Sequence, residues 1–172
     1  IRPYADAEVQ AVLNRLINDK DVIKAFIAAS EYKGISKYPL STIFIKRILK
    51  KKIENIHSVK EYQSIFERLV KEMIETKTSG FVCNGFSNLK KNESYLFISN
   101  HRDIAIDPAL LNFVLHSNDH KTTNIAVGNN LMSEKWASDL MRLNKSFIID
   151  RTGKSKREIY QGLHLASEYI ED

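Results

Sequence analysis

The chain has 172 residues and a formal net charge of +5, with 43 % hydrophobic and 27 % charged residues. These proportions are ordinary for globular proteins and exclude a fibrous or fully disordered chain. The length allows one medium-sized domain, or a small helical domain joined to a larger one. The positive charge favours anionic partners, which include phosphorylated metabolites, acidic carrier proteins, nucleic acids and lipid surfaces.

The single cysteine, Cys83, excludes an internal disulfide and is typical of a protein from a reducing compartment. Its place in an apolar segment predicts a buried side chain. The sequence shows no secretory signal, and no apolar run approaches the roughly 20 residues that span a bilayer. Because the sequence does not begin with Met, we expect it to be part of a longer protein. These features predict a cytoplasmic location.

The first 79 residues have helical periodicity and form a predicted N-terminal domain of about four helices. Apolar residues recur at helical spacing over 9–17 and 22–27, and a third segment, 42–52, is apolar on one side and basic on the other. Ser58 is a predicted N-cap of the fourth helix, with Glu61 as its capping-box partner. The predicted buried face of this helix comprises Tyr62, Ile65, Phe66, Leu69, Val70, Met73 and Ile74.

The period of the apolar pattern changes after residue 80, and residues 80–172 form the predicted second domain. The predicted strands are 81–83, 95–99, 124–127 and 146–149. The predicted helices are 107–116, 133–143 and 154–170. Strands that alternate with helices indicate an α/β layer with a largely parallel sheet. The predicted fold class is therefore α/β, with a helical N-terminal segment.

The segment from Tyr95 to Ala109 contains the residues best suited to catalysis. An apolar strand is predicted to end at Asn100 and His101, and the carboxyl ends of parallel strands are where ligands bind in open α/β sheets. A histidine there titrates near neutrality and can act as a general base when a carboxylate orients it. Asp103 and Asp107 are both near enough in sequence. In a purely structural interpretation, Asp107 is a helix N-cap and Pro108 the first helical residue.

Asn100 and His101, followed by Asp107 and Pro108, resemble the first sequence block of the glycerolipid acyltransferases, which acylate glycerol 3-phosphate and 1-acylglycerol 3-phosphate (lysophosphatidate). That block usually has four residues between histidine and aspartate, whereas this sequence has five. Alignment from the Asp-Pro side selects Asp107 as the partner of His101, and Asp103 remains the alternative.

A second block, from Asn144 to Arg151, resembles the family's strand that ends in an arginine contacting the phosphate of the acceptor. By this resemblance Arg151 binds the acceptor, and Gly153, Lys154 and Ser155 add backbone and side-chain contacts. Asn100 is included among the substrate-binding residues. The third and fourth blocks of the family do not occur in the sequence, so we expect the first part of an acyltransferase domain with an incomplete catalytic site.

The resemblance implies an O-acyltransferase of phospholipid biosynthesis, in which His101 removes the proton of an acceptor hydroxyl and Asp107 orients the imidazole. The acyl donor, a co-substrate, is acyl-CoA or the acylated form of acyl carrier protein. We expect no cofactor and no metal ion. We also expect the protein to bind a membrane surface, as a peripheral protein on the inner face of the membrane. Nucleic acid is not an expected partner. The alternative function is a non-catalytic module that binds lipid or an acyl carrier on the same fold.

Overall fold

A computed structural model describes residues 2–29, 41–100, 102–103, 106–129 and 134–149, and five further residues, Arg157, Tyr160, Gln161, His164 and Ser167. The chain forms two compact units. Unit 1 comprises Ile1–Tyr62 and Asn124–Asp172, and unit 2 comprises Gln63–Thr123. The domain division between residues 79 and 80 stays a prediction.

The helices of the N-terminal part are confirmed. They are α1 (Asp6–Leu16), α2 (Lys20–Ala29), α3 (Ser41–Ile53) and α4 (Val59–Lys77). The core of unit 1 is built on apolar residues at helical spacing, of which Val9, Val12 and Ile45 are almost completely buried. Burial of such side chains stabilises a fold by about 1.5–3 kcal/mol each, so these helices are held by packing more than by helix propensity.

Helix α4 begins with the predicted capping box. The N–H of Glu61 donates to Oγ of Ser58 (3.2 Å), and the N–H of Ser58 donates back to Oε2 of Glu61 (3.0 Å). The predicted buried face is partly wrong, because Leu69 is 55 % exposed whereas Tyr62 and Val70 are buried. The buried side is centred about a quarter-turn from Leu69, on Val59, Tyr62, Gln63 and Val70.

The second half of the chain contains α5 (Ile106–Ser117), β1 (Ile125–Gly128), α6 (Lys135–Leu143) and β2 (Ser146–Ile149). Strands β1 and β2 pair in parallel, with Ile125 opposite Ser146 and Gly128 opposite Ile149. Parallel pairing requires a crossover connection, which here contains α6. The described residues of the predicted last helix, such as Arg157 and His164, have helical backbone. The fold is α/β with a helical N-terminal part, as predicted.

Two predicted strands are not strands in the structure. Residues 81–83 and 95–99 have no regular secondary structure, and Val82, Leu96 and Ile98 are each more than two-thirds exposed. The predicted burial of Cys83 is also wrong, since this residue is exposed. β-propensity becomes a strand only where a neighbouring strand and a covering layer are present. The sheet that the structure describes pairs only β1 with β2.

A polar network in unit 1 joins the start of the chain to α6. The buried carboxylate of Asp139 accepts two hydrogen bonds from the guanidinium of Arg15 (2.7 and 2.8 Å) and one from the hydroxyl of Tyr4 (2.6 Å). Arg142 donates to the same hydroxyl (2.7 Å), and its guanidinium lies 3.7 Å from the centre of the Tyr4 ring. Burial raises the pKa of Asp139, but the hydrogen bonds from Arg15 and Tyr4 outweigh it and lower the pKa overall.

The carboxyl end of α3 is capped by a side chain from α1. The amide nitrogen of Gln10 donates to the carbonyl oxygens of Ile53 (2.8 Å) and Ile56 (2.7 Å). The last carbonyls of a helix have no partner within the helix, so Gln10 adds a donor to that of the Ile56 N–H, which also binds the carbonyl of Ile53 (3.0 Å). The same amide therefore fixes both α3 and the turn that precedes α4 against α1.

Candidate active site

The predicted catalytic segment, 95–109, lies in unit 2. It begins in a stretch without regular structure and ends in the first turn of α5. Asn100 is exposed at the end of that stretch, and α5 begins at Ile106. Five of the predicted site residues lie outside the described residues: His101, Arg151, Gly153, Lys154 and Ser155. Of the predicted site, the structure thus describes Asn100 and Asp107, together with the alternative carboxylate, Asp103.

The half-buried Asp107 contacts the backbone immediately after His101. Its Oδ2 accepts hydrogen bonds from the N–H groups of Arg102 (2.8 Å) and Asp103 (2.9 Å). Two N–H donors on one oxygen stabilise the negative charge of the carboxylate and fix its position. Asp107 is therefore held against the residue that follows His101, five positions back along the chain.

Asp103 binds the backbone N–H of the first residue of α5. Its Oδ1 accepts a hydrogen bond from the N–H of Ile106 (2.8 Å), at the spacing of three residues that is typical of helix capping. The structural interpretation of Asp107 as the N-cap differs from the structure, because α5 starts one residue earlier and includes Asp107. Pro108 then lies within the first turn, where its missing N–H has no helical partner to lose.

Both carboxylates lie at the amino end of α5, which carries the partial positive charge of the helix dipole. The carboxylate of Asp103 binds the first N–H of α5, whereas that of Asp107 binds two N–H groups of the loop before the helix. An arrangement of this kind can keep a loop residue in place relative to a carboxylate, as a general base requires.

Unit 2 fixes α5 through side-chain contacts that the sequence did not reveal. Glu67 on α4 lies 2.7 Å from Nδ1 of His116 and accepts a hydrogen bond from the hydroxyl of Ser117 (3.0 Å). In the segment that precedes β1, the hydroxyl of Thr122 donates to Oε1 of the buried Gln63 (2.9 Å). The apolar pattern of α4 includes neither Gln63 nor Glu67, so it gave no signal for these contacts.

Asn112, on the same helix, holds the chain that leaves α5. Its Oδ1 accepts hydrogen bonds from both the backbone N–H and the hydroxyl of Thr123 (2.8 and 2.9 Å). The segment between α5 and β1 is thereby tied to the helix that follows the catalytic motif. An asparagine within a largely apolar helix was the sequence signal for this role.

The comparisons with known proteins place the chain in a class. Residues 80–168, just over half of the chain, match the family described as Acyltransferase. The chain therefore contains an acyltransferase domain. It belongs to the glycerolipid acyltransferase family, as the resemblance in the sequence predicted. No curated protein and no solved structure matches the chain.

The same region contains both sequence blocks, so the match includes Asn100, Asp107 and every other predicted site residue. Among the described residues, no helix combines the length and the apolar character needed to cross a membrane.

Proposed function

We propose that the protein transfers a fatty acyl group from an acyl thioester to the hydroxyl of glycerol 3-phosphate or lysophosphatidate. The observation that carries the proposal is the contact of Asp107 with the backbone after His101, within the region that matches the family. A carboxylate held at this point supports the role of an orienting partner for a histidine base.

In the proposed reaction, His101 takes the proton from the acceptor hydroxyl while the oxygen attacks the thioester carbonyl carbon. The tetrahedral intermediate then collapses, the carbon–sulfur bond breaks, and the leaving sulfur receives the proton to give a thiol. Asp107 orients the imidazole and stabilises its cation in this scheme. General-base catalysis of this kind contributes about 10²–10⁴ in rate. The atoms balance with the acyl thioester as the co-substrate, and the scheme needs no metal ion or further cofactor.

The acceptor in this proposal is bound through its phosphate. Arg151, supported by Gly153, Lys154 and Ser155, would bind the phosphate oxygens, and Asn100 would contact the substrate beside the histidine. A guanidinium suits this task because it forms two parallel hydrogen bonds to phosphate. The thioester comes from acyl-CoA or from acyl carrier protein. The proposed location of the reaction is the cytoplasmic side of the inner membrane, where lysophosphatidate is found.

The test is acyl transfer from a labelled acyl thioester, offered as the CoA and as the carrier-protein form, to each acceptor. The protein at its native length is compared with His101→Ala and with His57→Ala, which removes an exposed histidine before α4. Product from the wild type and from His57→Ala, but none from His101→Ala, would support the proposal and identify the acceptor. Equal turnover by all three would rule out His101 as the base.

The alternative is a module that binds lipid or an acyl carrier without turnover. The five-residue spacing between His101 and Asp107 favours it, since the family usually has four. A folded wild-type protein that binds the thioester but forms no product with either acceptor would support this alternative.

A further inference from the structure

Helix α3 has an unusual charge distribution. It contains five basic residues and no acidic one, and its last turn is formed by Lys50, Lys51, Lys52 and Ile53. Arg47 and these three lysines are exposed. Within the part of the chain that the structure describes, none of these four cations takes part in an ion pair. In that part of the chain no carboxylate pairs with them, and a cluster of this kind favours an anionic partner.

The same helix exposes two large apolar side chains. Ile43 is 65 % exposed and Phe44 is 50 % exposed, whereas Ser41, Ile45 and Ile53 on the opposite side are buried in unit 1. With 3.6 residues per turn, Ile43 lies on the same stripe as Arg47 and Lys50, and Phe44 lies on the neighbouring stripe with Lys51. These five residues, Ile43, Phe44, Arg47, Lys50 and Lys51, form the α3 outer face.

We propose that the α3 outer face docks on a lipid bilayer that contains anionic headgroups. Lysine and arginine next to exposed apolar side chains are the combination that interfacial helices use, since the cations bind headgroups while the apolar groups enter the boundary of the acyl chains. An acidic protein would satisfy the charges, whereas a bilayer with anionic lipids offers the charges together with a continuous apolar layer for Ile43. The choice of a bilayer rests on the proposed function, because lysophosphatidate is a membrane lipid.

The expected loss of bilayer binding follows from the number of positive charges that are removed. Each lysine or arginine near an anionic bilayer strengthens binding by about fivefold, so removing three such residues weakens it by roughly 100-fold. Docking should also weaken as salt is raised, because the attraction falls off within a Debye length of about 8–10 Å at physiological salt.

The test measures binding of the intact chain to vesicles that contain no acyl acceptor or donor, so that its outcome is independent of acyl transfer. Sedimentation is compared for vesicles of pure phosphatidylcholine and for vesicles with a quarter of phosphatidylglycerol. We expect binding to the anionic vesicles alone. The triple variant Arg47→Glu, Lys50→Glu and Lys51→Glu should bind at least 100-fold more weakly.

The matched control places the same substitutions on α4, at Arg68, Lys71 and Lys77, which are also exposed. This control has the same net charge as the α3 variant and should bind within about threefold of the wild type. Ile43→Ser should weaken binding by several-fold, whereas Ile98→Ser, at a residue that is 87 % exposed, should not. Circular dichroism of each variant verifies that it is folded.

An equal loss of vesicle binding in both triple variants would overturn the proposal, since binding would then depend on net charge alone. Unchanged binding by the α3 variant, or no binding by the wild type, would do the same. Binding to an acidic carrier protein or to polynucleotide, with no binding to anionic vesicles, would assign the α3 outer face to a different partner.

Discussion

Oδ2 of Asp107 and the backbone nitrogen of Arg102 lie 2.8 Å apart and form a hydrogen bond across the start of α5. The donor belongs to the residue directly after His101, so the carboxylate is attached to the segment on which the proposed base is located. Asp103 directs its own carboxylate to the N–H of Ile106 instead. The two aspartates near the histidine can therefore be separated by experiment.

Asp107→Asn is expected to lower kcat by about 10³-fold, because the amide keeps an acceptor for the two backbone N–H groups but cannot stabilise an imidazolium. The measurement is kcat and KM for the acceptor at saturating acyl thioester. Asp103→Asn is the matched control, and its kcat should stay within about tenfold of the wild type. The opposite result, with Asp103→Asn inactive and Asp107→Asn active, would identify Asp103 as the partner of His101.

Asp139→Asn is expected to lower the free energy of unfolding by about 2 kcal/mol, as hydrogen bonds to charged groups contribute about 1.5–3 kcal/mol. The substitution disrupts the paired contacts with Arg15 and the contact with Tyr4. Urea unfolding measures the change. The comparison is Asp21→Asn, which removes an exposed ion pair with Lys24 and should change stability by less than about 0.5 kcal/mol. A similar small change in both variants would show that the buried network contributes little.

The contribution of Asp139 should also depend on pH. Its pKa in the folded protein is lowered by the hydrogen bonds from Arg15 and Tyr4, although burial alone would raise it. The unfolded chain therefore binds a proton before the folded protein does, and stability is lost as pH falls from about 4 through the lower folded-state pKa. Urea unfolding at pH 6, 5, 4 and 3 should show the difference between wild type and Asp139→Asn shrinking below about pH 4. A difference that grows on acidification would contradict this sign.

Gln10→Met should destabilise unit 1 by about 1–2 kcal/mol, because it removes the side-chain donor to the carbonyls of Ile53 and Ile56, and the carbonyl of Ile53 keeps only the N–H of Ile56. Methionine has a similar volume, so the change isolates the hydrogen bonds from packing. Thermal and urea unfolding measure the effect. Asn14→Met, one turn further along α1 at an exposed position, is the control and should have a much smaller effect.

Short-range features of the fold were predictable from the sequence. The capping pair of Ser58 and Glu61 is three residues apart, and the strand at 146–149 is a short apolar run between polar residues, so both could be recognised locally. Contacts over long separations could not. The bond between Tyr4 and Asp139 joins residues 135 positions apart, and no pattern within either segment indicates the other.

The same distinction applies to the candidate site. The motif identified Asp103 and Asp107 as the two carboxylates near His101, because all three lie within seven residues. It could not determine which of the two binds the first N–H of α5, since that depends on the residue at which the helix starts. Residues 95–99 show the same limit, because a short apolar run specifies a local preference but not a neighbouring strand.

The hydrogen bonds between Arg15 and Asp139 can form only late in the synthesis of the chain. Helix α1 packs against α6, which follows it by more than a hundred residues, and unit 2 is encoded between them. At about 5–20 residues per second, the ribosome needs roughly 6–25 s to add Asp139 after Arg15 has been made. During this interval Tyr4 and Arg15 lack their acidic partner, while the contacts that hold α5 to α4 can already form. A chain that stops before α6 therefore lacks the acidic partner of Tyr4 and Arg15, and its first helix can pack on α3 but not on α6.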